Sequence, residues 1–527
     1  MMRNHARLVR HPEVETGIYG ATLYGGKARL VRVEALLGRG LSRVQVVGMP
    51  DAVALEARER LPPALRRHGF SFPKGKVLFN LVPAQLPKSG LPLDLALAVA
   101  VLAAQRLLPP PRQPLLFLAE LDLEGRLGPP ARGTLLAAMA ARGHLAGVVT
   151  APEAAPEGAL APGVPVYGVG DLGGVAALLR DPAAAATAQP VTSQAAAAPP
   201  AERLDDVRGQ DVARRAAIIA AAGRHALLLQ GPPGTGKSLL ARRLVNLLPP
   251  LPPERALELA LIEAARGRVR ALAERPPLRA PHTSISPQGM LGGGHPLRPG
   301  ELSRAHGGVL FLDELPEFAR PVLEGLRQPL EEKEVRLQRV LEQAVFPADV
   351  LLVAAMNLCP CGYTGHPKMP CACTLAQKQR YRARTSGPLL DRFDLFVEVG
   401  PVEPWRLQGP PTPPSDEEAR AWLERAAALQ RRRGARGRPP LASQASLQDL
   451  RAEGMAPQAD ALLQSAAERF GFSGRGCVRC LRVARTIADL LGCERVGGEH
   501  VREAITYRAR VPGLAPSQAA PAAITTD

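Results

Sequence analysis

The 527-residue sequence predicts a multidomain α/β protein, and three observations carry that reading. Its length exceeds what one compact core organises, so several domains are expected. The stretch "DPAAAATAQPVTSQAAAAPPAE" (181–202) has almost no large apolar side chains and reads as a linker. Beyond it, short apolar strands ending in polar residues alternate with helical patterns, the pattern of a doubly wound parallel sheet. The expected divisions are an N-terminal extension (1–17), an α+β domain (18–180), the linker (181–202), a parallel-sheet core (203–405), a helical lid (406–512) and a disordered tail (513–527).

In the first domain, "KARLVRVEALL" and "LSRVQVVGM" alternate as strands do, "DAVALEARERLPPALRRHGF" is an amphipathic helix, and "KVLFNLVPA" is a further strand. "LPLDLALAVAVLAAQ" (91–105) falls short of the roughly 18 apolar residues of a membrane span and contains Asp94, so it predicts a core helix. In the second, "HALLLQ" (225–230), "GGVLFLDEL" and "ADVLLVAAMN" are buried strands. From residue 415 onward, "DEEARAWLERAAALQRRR", "PQADALLQSAAERFG", "SGRGCVRCLRVARTIADLLG" and "GGEHVREAITYRAR" are amphipathic helices.

The net charge of +17 suggests a polyanionic partner, since neutralising phosphates releases counterions. The arginine-, alanine- and proline-rich composition of a GC-rich genome would give the same excess, with lysine at only eight positions. Seven clustered cysteines and the lack of an apolar segment after "MMRNHARLVRHPE" argue against secretion, and the expectation is a cytoplasmic protein without a membrane anchor.

"GPPGTGKS" (231–238) fits the phosphate-binding pattern G-x-x-x-x-G-K-[ST] between a strand and a helix. Gly231, Pro232, Pro233, Gly234, Thr235 and Gly236 would turn backbone N–H groups toward phosphate oxygens at a helix N-terminus. Lys237 would reach the β- and γ-phosphates of ATP, and Ser238 would hold Mg²⁺. In "VLFLDEL", 76 residues after that lysine, Asp313 would bind the Mg²⁺ and Glu314 would polarise the attacking water. Asn357, ending the next strand, could orient the water and sense the γ-phosphate. Arg392 in "GPLLDRFDL" is the candidate arginine from a neighbouring subunit, and Arg475, with Arg479 and Arg482 as alternatives, the candidate from the lid.

Taken in this order, these motifs resemble an AAA+ ATPase, which implies a ring, usually a hexamer. "APHTSISPQGMLGGGHPLRPGELSRAHGGVLFLDELPEF", "VAAMNLCPCGY", "SGPLLDRFDL" and "LRVARTIADL" more closely resemble the magnesium-chelatase-like ComM/YifB family, over about residues 18–510. The resemblance implies a hexameric motor that binds DNA and drives branch migration in natural transformation, with recombination proteins as further candidate partners. A chelatase-type or protein-remodelling ATPase is the alternative. The sequence departs from the family at Leu358, at "APHTS", and at Cys477, Val478 and Cys480 of the lid, none of them in the nucleotide set.

The first domain is similar to the family's Lon-protease-like domain, but Pro92 stands at the nucleophile's position in "PKSGLPLD" and Ser89 is offset, so proteolysis is not expected. Two inserts resemble pore elements: "SPQGMLGGGHPLRPGE" (286–301), and a hairpin in "EEKEVRLQRVLEQAVFPA" (331–348) whose Lys333, Arg336 and Arg339 could grip DNA phosphates. Cys359, Cys361, Cys371 and Cys373 are spaced C-x-C, nine residues, C-x-C, which can close a tetrahedral shell around structural Zn²⁺, with His366 as a substitute ligand. Cys477 and Cys480 share a helix face as packed thiols.

Overall fold

The computed structural model describes residues 17–509, except 42, 49–50, 89–90, 183–185, 191–202, 268, 341 and 410–412; residues 51–58, 404 and 407 are described by backbone alone. Residues 1–16 of the N-terminal extension, the tail and most of the linker lie outside the described residues.

The N-terminal domain is built on a seven-stranded mixed sheet, ordered Arg43–Val47, Lys76–Val82, Lys27–Gly38, Ile18–Tyr24, Leu115–Leu118, Gly147–Thr150, Val166–Gly168. Ile18–Tyr24 turns tightly into Lys27–Gly38, with Tyr24 paired to Lys27. Alternation in Lys76–Val82 sends Val77, Phe79 and Leu81 into the core. The helix Asp94–Ala104 is buried from Leu95 to Leu102, as its unbroken apolar run requires. Burial raises the pKa of Asp94 at its start, opposed by Arg60 at 3.2 Å. Among the described residues no helix is long and apolar enough to cross a membrane. Ala188 N–H donates to Val166 O at 2.7 Å and its side chain packs on this domain, so the linker's first residues extend the domain's edge.

The second sheet has five parallel strands in the order Leu278–Arg279, Val309–Leu312, Leu351–Met356, Leu227–Gln230, Leu395–Glu398. Its strands are apolar on both faces because both are covered. Leu227 and Leu229 join one core with the helix Asp211–Gly223 and the lid, while Leu228 joins another with Leu302, Val322 and Phe393. Gln230 pairs with Met356 and Leu312 with Ala354, so the residues that follow, Gly231, Asp313 and Asn357, gather at the carboxyl ends of the strands.

The lid comprises helices Asp416–Ala435, Leu447–Ala452, Pro457–Phe470, Gly474–Leu491 and Gly498–Arg508. Ser415 caps the first and Ser473 the fourth. Polar contacts fix the lid to the sheet through Asp394. It accepts from Arg479 Nη1 at 2.8 Å and contacts His225 Nδ1 at 3.1 Å, while His225 Nε2 lies 2.8 Å from Thr486 Oγ1. Burial would raise the Asp394 pKa, but His225 and Arg479 outweigh it and hold the carboxylate charged below its usual range.

The insert at 331–348 forms the expected hairpin, Glu334–Gln338 against Gln343–Pro347, but much of it is enclosed. Glu342, buried in the turn that closes it, accepts from Gly25 N–H of the N-terminal domain at 2.9 Å and from Leu297 N–H at 3.3 Å. Phe346 packs into one core with Leu23, Ala28 and Ala264. The approach is close enough that a Cβ on Gly25 would meet Gln343 O at 2.4 Å. The N-terminal domain therefore rests directly on the hairpin.

Candidate functional site

The loop Gly231–Gly236 leaves the strand Leu227–Gln230, next to the central strand Leu351–Met356, and opens the helix Lys237–Leu244. A Cβ on Gly231 would meet Val399 O at 2.0 Å, so only glycine lets the chain leave the sheet here. Gly236 has φ +89° as helix N-cap, and a Cβ on it or on Gly234 would meet nothing within 4 Å, which leaves the cradle open above the N–H groups. Gln210, which sequence reasoning missed, ties the loop down: its Nε2 donates to Thr235 O at 3.1 Å and to Gly400 O at 2.7 Å. Those partners lie far off in sequence, and no local signal identifies them.

Lys237 is buried, and Nζ donates to Gly231 O at 2.9 Å, Pro232 O at 2.7 Å and Asn357 Oδ1 at 3.3 Å. Burial lowers its pKa, with Asp313 and Glu314 pulling the other way. Ser238 Oγ donates to Asp313 Oδ2 at 2.6 Å, so the two oxygen donors suited to one Mg²⁺ are adjacent. Glu314 has φ +51°, a left-handed conformation costing on the order of 1–2 kcal/mol for a residue with a Cβ. Its N–H donates to Asp313 Oδ1 at 3.0 Å, and the side chain is exposed. The strain fixes two consecutive carboxylates in different places, one beside Ser238 and one outward.

The structure thus brings Lys237, Ser238, Asp313, Glu314 and Asn357 together. Arg392 is held elsewhere in its own chain: Nη2 donates to Glu331 Oε2 at 2.7 Å, Nε to Arg327 O at 3.2 Å and Nη1 to Pro388 O at 3.2 Å. Of the lid arginines, Arg479 is committed to Asp394 and Arg482 donates to Ala445 O at 2.9 Å. The side chain of Arg475, exposed on the first turn of its helix, makes no hydrogen bond or ion pair among the described residues.

The candidate DNA contacts are in different states. Lys333 is paired with Asp349 at 3.2 Å and Arg336 with Glu334 at 2.6 Å, while Arg339, exposed at the hairpin tip, has no ion pair among the described residues. In the N-terminal domain, Lys88 is buried, its Nζ donating to Pro83 O and to Ala84 O at 3.3 Å, and burial lowers its pKa. Ser89 lies outside the described residues.

The four cysteine sulfurs lie within 4.8 Å of one another, at 3.4 Å for Cys359–Cys361 and 3.6 Å for Cys361–Cys371 and Cys371–Cys359. A tetrahedral zinc with bonds of about 2.3 Å sets its sulfurs about 3.8 Å apart, so the donor set fits. Thr364 Oγ1, 3.1 Å from Cys371 Sγ, lowers that thiol to about 6, while Cys373, despite a backbone hydrogen bond with Cys361, is pushed up to about 11 by hydrogen bonding among the thiols, so without a metal the cluster loses one proton readily and holds another. His366 places neither ring nitrogen within the group of four sulfurs, and its Nδ1 accepts the N–H groups of Lys368 and Met369 at 3.1 and 2.9 Å and so builds the turn. The loop also touches the phosphate-binding loop, since a Cβ on Gly362 would meet Pro233 Cδ at 2.8 Å. Beyond it, Tyr381 is pushed up to about 12 by burial and then by Glu317 and Glu314, which keeps the phenol protonated. Protein purified without chelator is expected to carry roughly one zinc per chain. Stripping the metal, or replacing Cys371 and Cys373 with serine, should lower the melting temperature; metal-free protein of unchanged stability would defeat the zinc brace. In the lid, Cys480 is buried and pushed up to about 12 by that burial, in keeping with a packed thiol.

Three family models match the chain: one described as magnesium chelatase, subunit ChlI, over residues 203–407; one as subunit ChlI of Mg-chelatase, over 33–154; and one as magnesium chelatase, subunit ChlI C-terminal, over 414–508. The chain is 39% identical over 503 residues to an uncharacterized protein of Mycobacterium tuberculosis, covering 93% of this chain and 98% of the relative. It is 37% identical over 493 residues to the uncharacterized protein YifB of Escherichia coli, covering 92% and 95%. It is also 37% identical over 503 residues to the competence protein ComM of Haemophilus influenzae, covering 94% and 97%.

Proposed function

The chain belongs to the magnesium-chelatase-like ComM/YifB family, whose relationship supports an AAA+ ATPase, and from that premise we propose an ATP-hydrolysing hexameric motor that translocates DNA and migrates branches in recombination during natural transformation. The observation that carries the reading is a complete nucleotide-binding set in a chain similar to the competence protein ComM over 94% of its length.

In this reading the loop N–H groups of Gly231–Gly236 hold the phosphates. Lys237 exchanges its carbonyl contacts for the β- and γ-phosphate oxygens, and Ser238 and Asp313 hold Mg²⁺, which neutralises charge building on those oxygens. Glu314 takes the proton of the attacking water, and Asn357, already within reach of Lys237, orients that water. Arg392 from a neighbouring subunit and Arg475 from the lid complete the positive charge. The cysteine loop, resting on Pro233 and leading toward Arg392, stiffens the route between adjacent sites.

A second reading, a chelatase-type remodeller acting without DNA, is favoured by the magnesium-chelatase description of the matching models. Assays of ATP turnover and fork or junction processing separate the two. The expected result is turnover stimulated several-fold by branched DNA, branch migration by the wild type, and neither with Lys237→Ala. DNA binding should weaken steeply with salt. If branched DNA neither stimulates turnover nor is remodelled, the motor reading fails.

A further inference from the structure

Two of the three cations expected to meet DNA on the hairpin, Lys333 and Arg336, are paired, but surplus positive charge collects in the lid. A cleft of about 340 Å³ opens between the end of helix Asp416–Ala435, the loop after it, the end of helix Leu447–Ala452 and the end of helix Gly474–Leu491. Six arginines line it against three carboxylates, Glu453, Asp489 and Glu494.

The arginines fall into two groups. Arg433 and Arg485, both buried, form the floor, and their charges are spent internally. Arg433 Nη2 donates to Asp489 Oδ1 and Oδ2 at 2.7 and 2.8 Å and its Nε pairs with Glu453 at 2.7 Å; Arg485 Nε donates to Asp489 Oδ1 at 3.0 Å. Arg432, Arg436, Arg438 and Arg495 form the rim, and among the described residues none of them is in an ion pair. Arg438 senses Asp449 only at longer range. Attraction to a helix C-terminus accounts for Arg432, but not for arginines converging from separate segments.

We propose that this cleft binds the phosphodiester backbone of DNA, at a site separate from the nucleotide site and from the hairpin; the proposal rests on the DNA-motor reading. Every lining residue lies between 429 and 495, so no residue of the phosphate-binding loop contributes. No aromatic side chain lines the cleft, so there is no platform for stacking a base. What remains is a fork of guanidinium donors for phosphate oxygens, which positions a strand without reading its sequence. The packed floor holds the rim open: Asp489, shared by Arg433 and Arg485, ties two of its walls together.

The test is anisotropy of labelled branched DNA over a range of salt, with the full-length wild type and an Arg432→Ala/Arg436→Ala/Arg495→Ala variant that leaves the floor intact. Each lost phosphate contact reduces the log–log salt slope by about 0.9, so the triple variant should lose about 2 to 3 from the slope and bind at least about tenfold more weakly. Its DNA-independent ATP turnover should match the wild type, and lysines at the same three positions should restore most of the slope. An unchanged slope in the alanine variant overturns the site while leaving the motor reading intact; a wild type that binds no DNA overturns both. Inorganic tripolyphosphate forms the second arm. If it saturates the wild type but not the triple variant, while DNA slopes coincide, the cleft takes small polyphosphates and the DNA assignment falls.

Discussion

Glu314→Gln is expected to bind ATP as tightly as the wild type and to turn it over about 10²- to 10⁴-fold more slowly. The affinity should survive because, among the described residues, the Glu314 side chain makes no hydrogen bond or ion pair to the loop that would hold the phosphates; Lys237 and Ser238 do that work, and the Ser238 bond goes to Asp313. The backbone should survive because glutamine meets the same left-handed strain at φ +51°, and the Glu314 N–H still reaches Asp313 Oδ1. What is lost is only the proton acceptor, on an exposed side chain whose burial contributes little to folding. Single-turnover hydrolysis beside a fluorescent-nucleotide binding curve makes the comparison. Turnover within about tenfold of the wild type would remove Glu314 from the role of general base.

The division between what could be read from sequence and what could not follows the range of the forces involved. The phosphate loop is legible because its physics is local: glycines free the backbone, and a strand and a helix flank them within a few residues. The cysteine cluster is legible for the same reason, being closed by one short turn, although His366 belongs to that turn and not to the ligands. The lid arginines could not be ranked because Arg479 finds its partner at Asp394, 85 residues earlier, and Arg482 finds Ala445 O, 37 residues earlier. Composition likewise hid the fate of the hairpin. Lys333 finds its partner at Asp349 on the far side of the hairpin, and the contact from Glu342 to Gly25 spans 317 residues. Such long-range pairings are set by packing and leave no periodic trace.

Arg392→Ala is expected to reduce ATP turnover by about 10³-fold or more, the range in which an arginine donated to a transferring phosphate operates. A 10³-fold effect corresponds to about 4 kcal/mol of transition-state stabilisation. Of the three contacts that hold Arg392, two are to carbonyl oxygens, and the ion pair is weak by comparison: Glu331 is 73% exposed, and ion pairs of that kind are worth about 0–1 kcal/mol. Exchanging Glu331 for a neighbouring subunit's γ-phosphate is therefore favourable, and Glu331→Ala should not slow turnover. If Arg392 acts in trans, Arg392→Ala subunits hold a sound nucleotide site without its arginine, and Lys237→Ala subunits hold the arginine without a sound site. Neither should turn over alone, yet mixing them should recover activity in proportion to the interfaces that unite a wild-type Lys237 with a wild-type Arg392. Sedimentation of the mixture checks that rings form. Rings that assemble but recover nothing would show that the arginine is not shared between subunits, and the clip formed by the cysteine loop would then have no neighbouring site to reach.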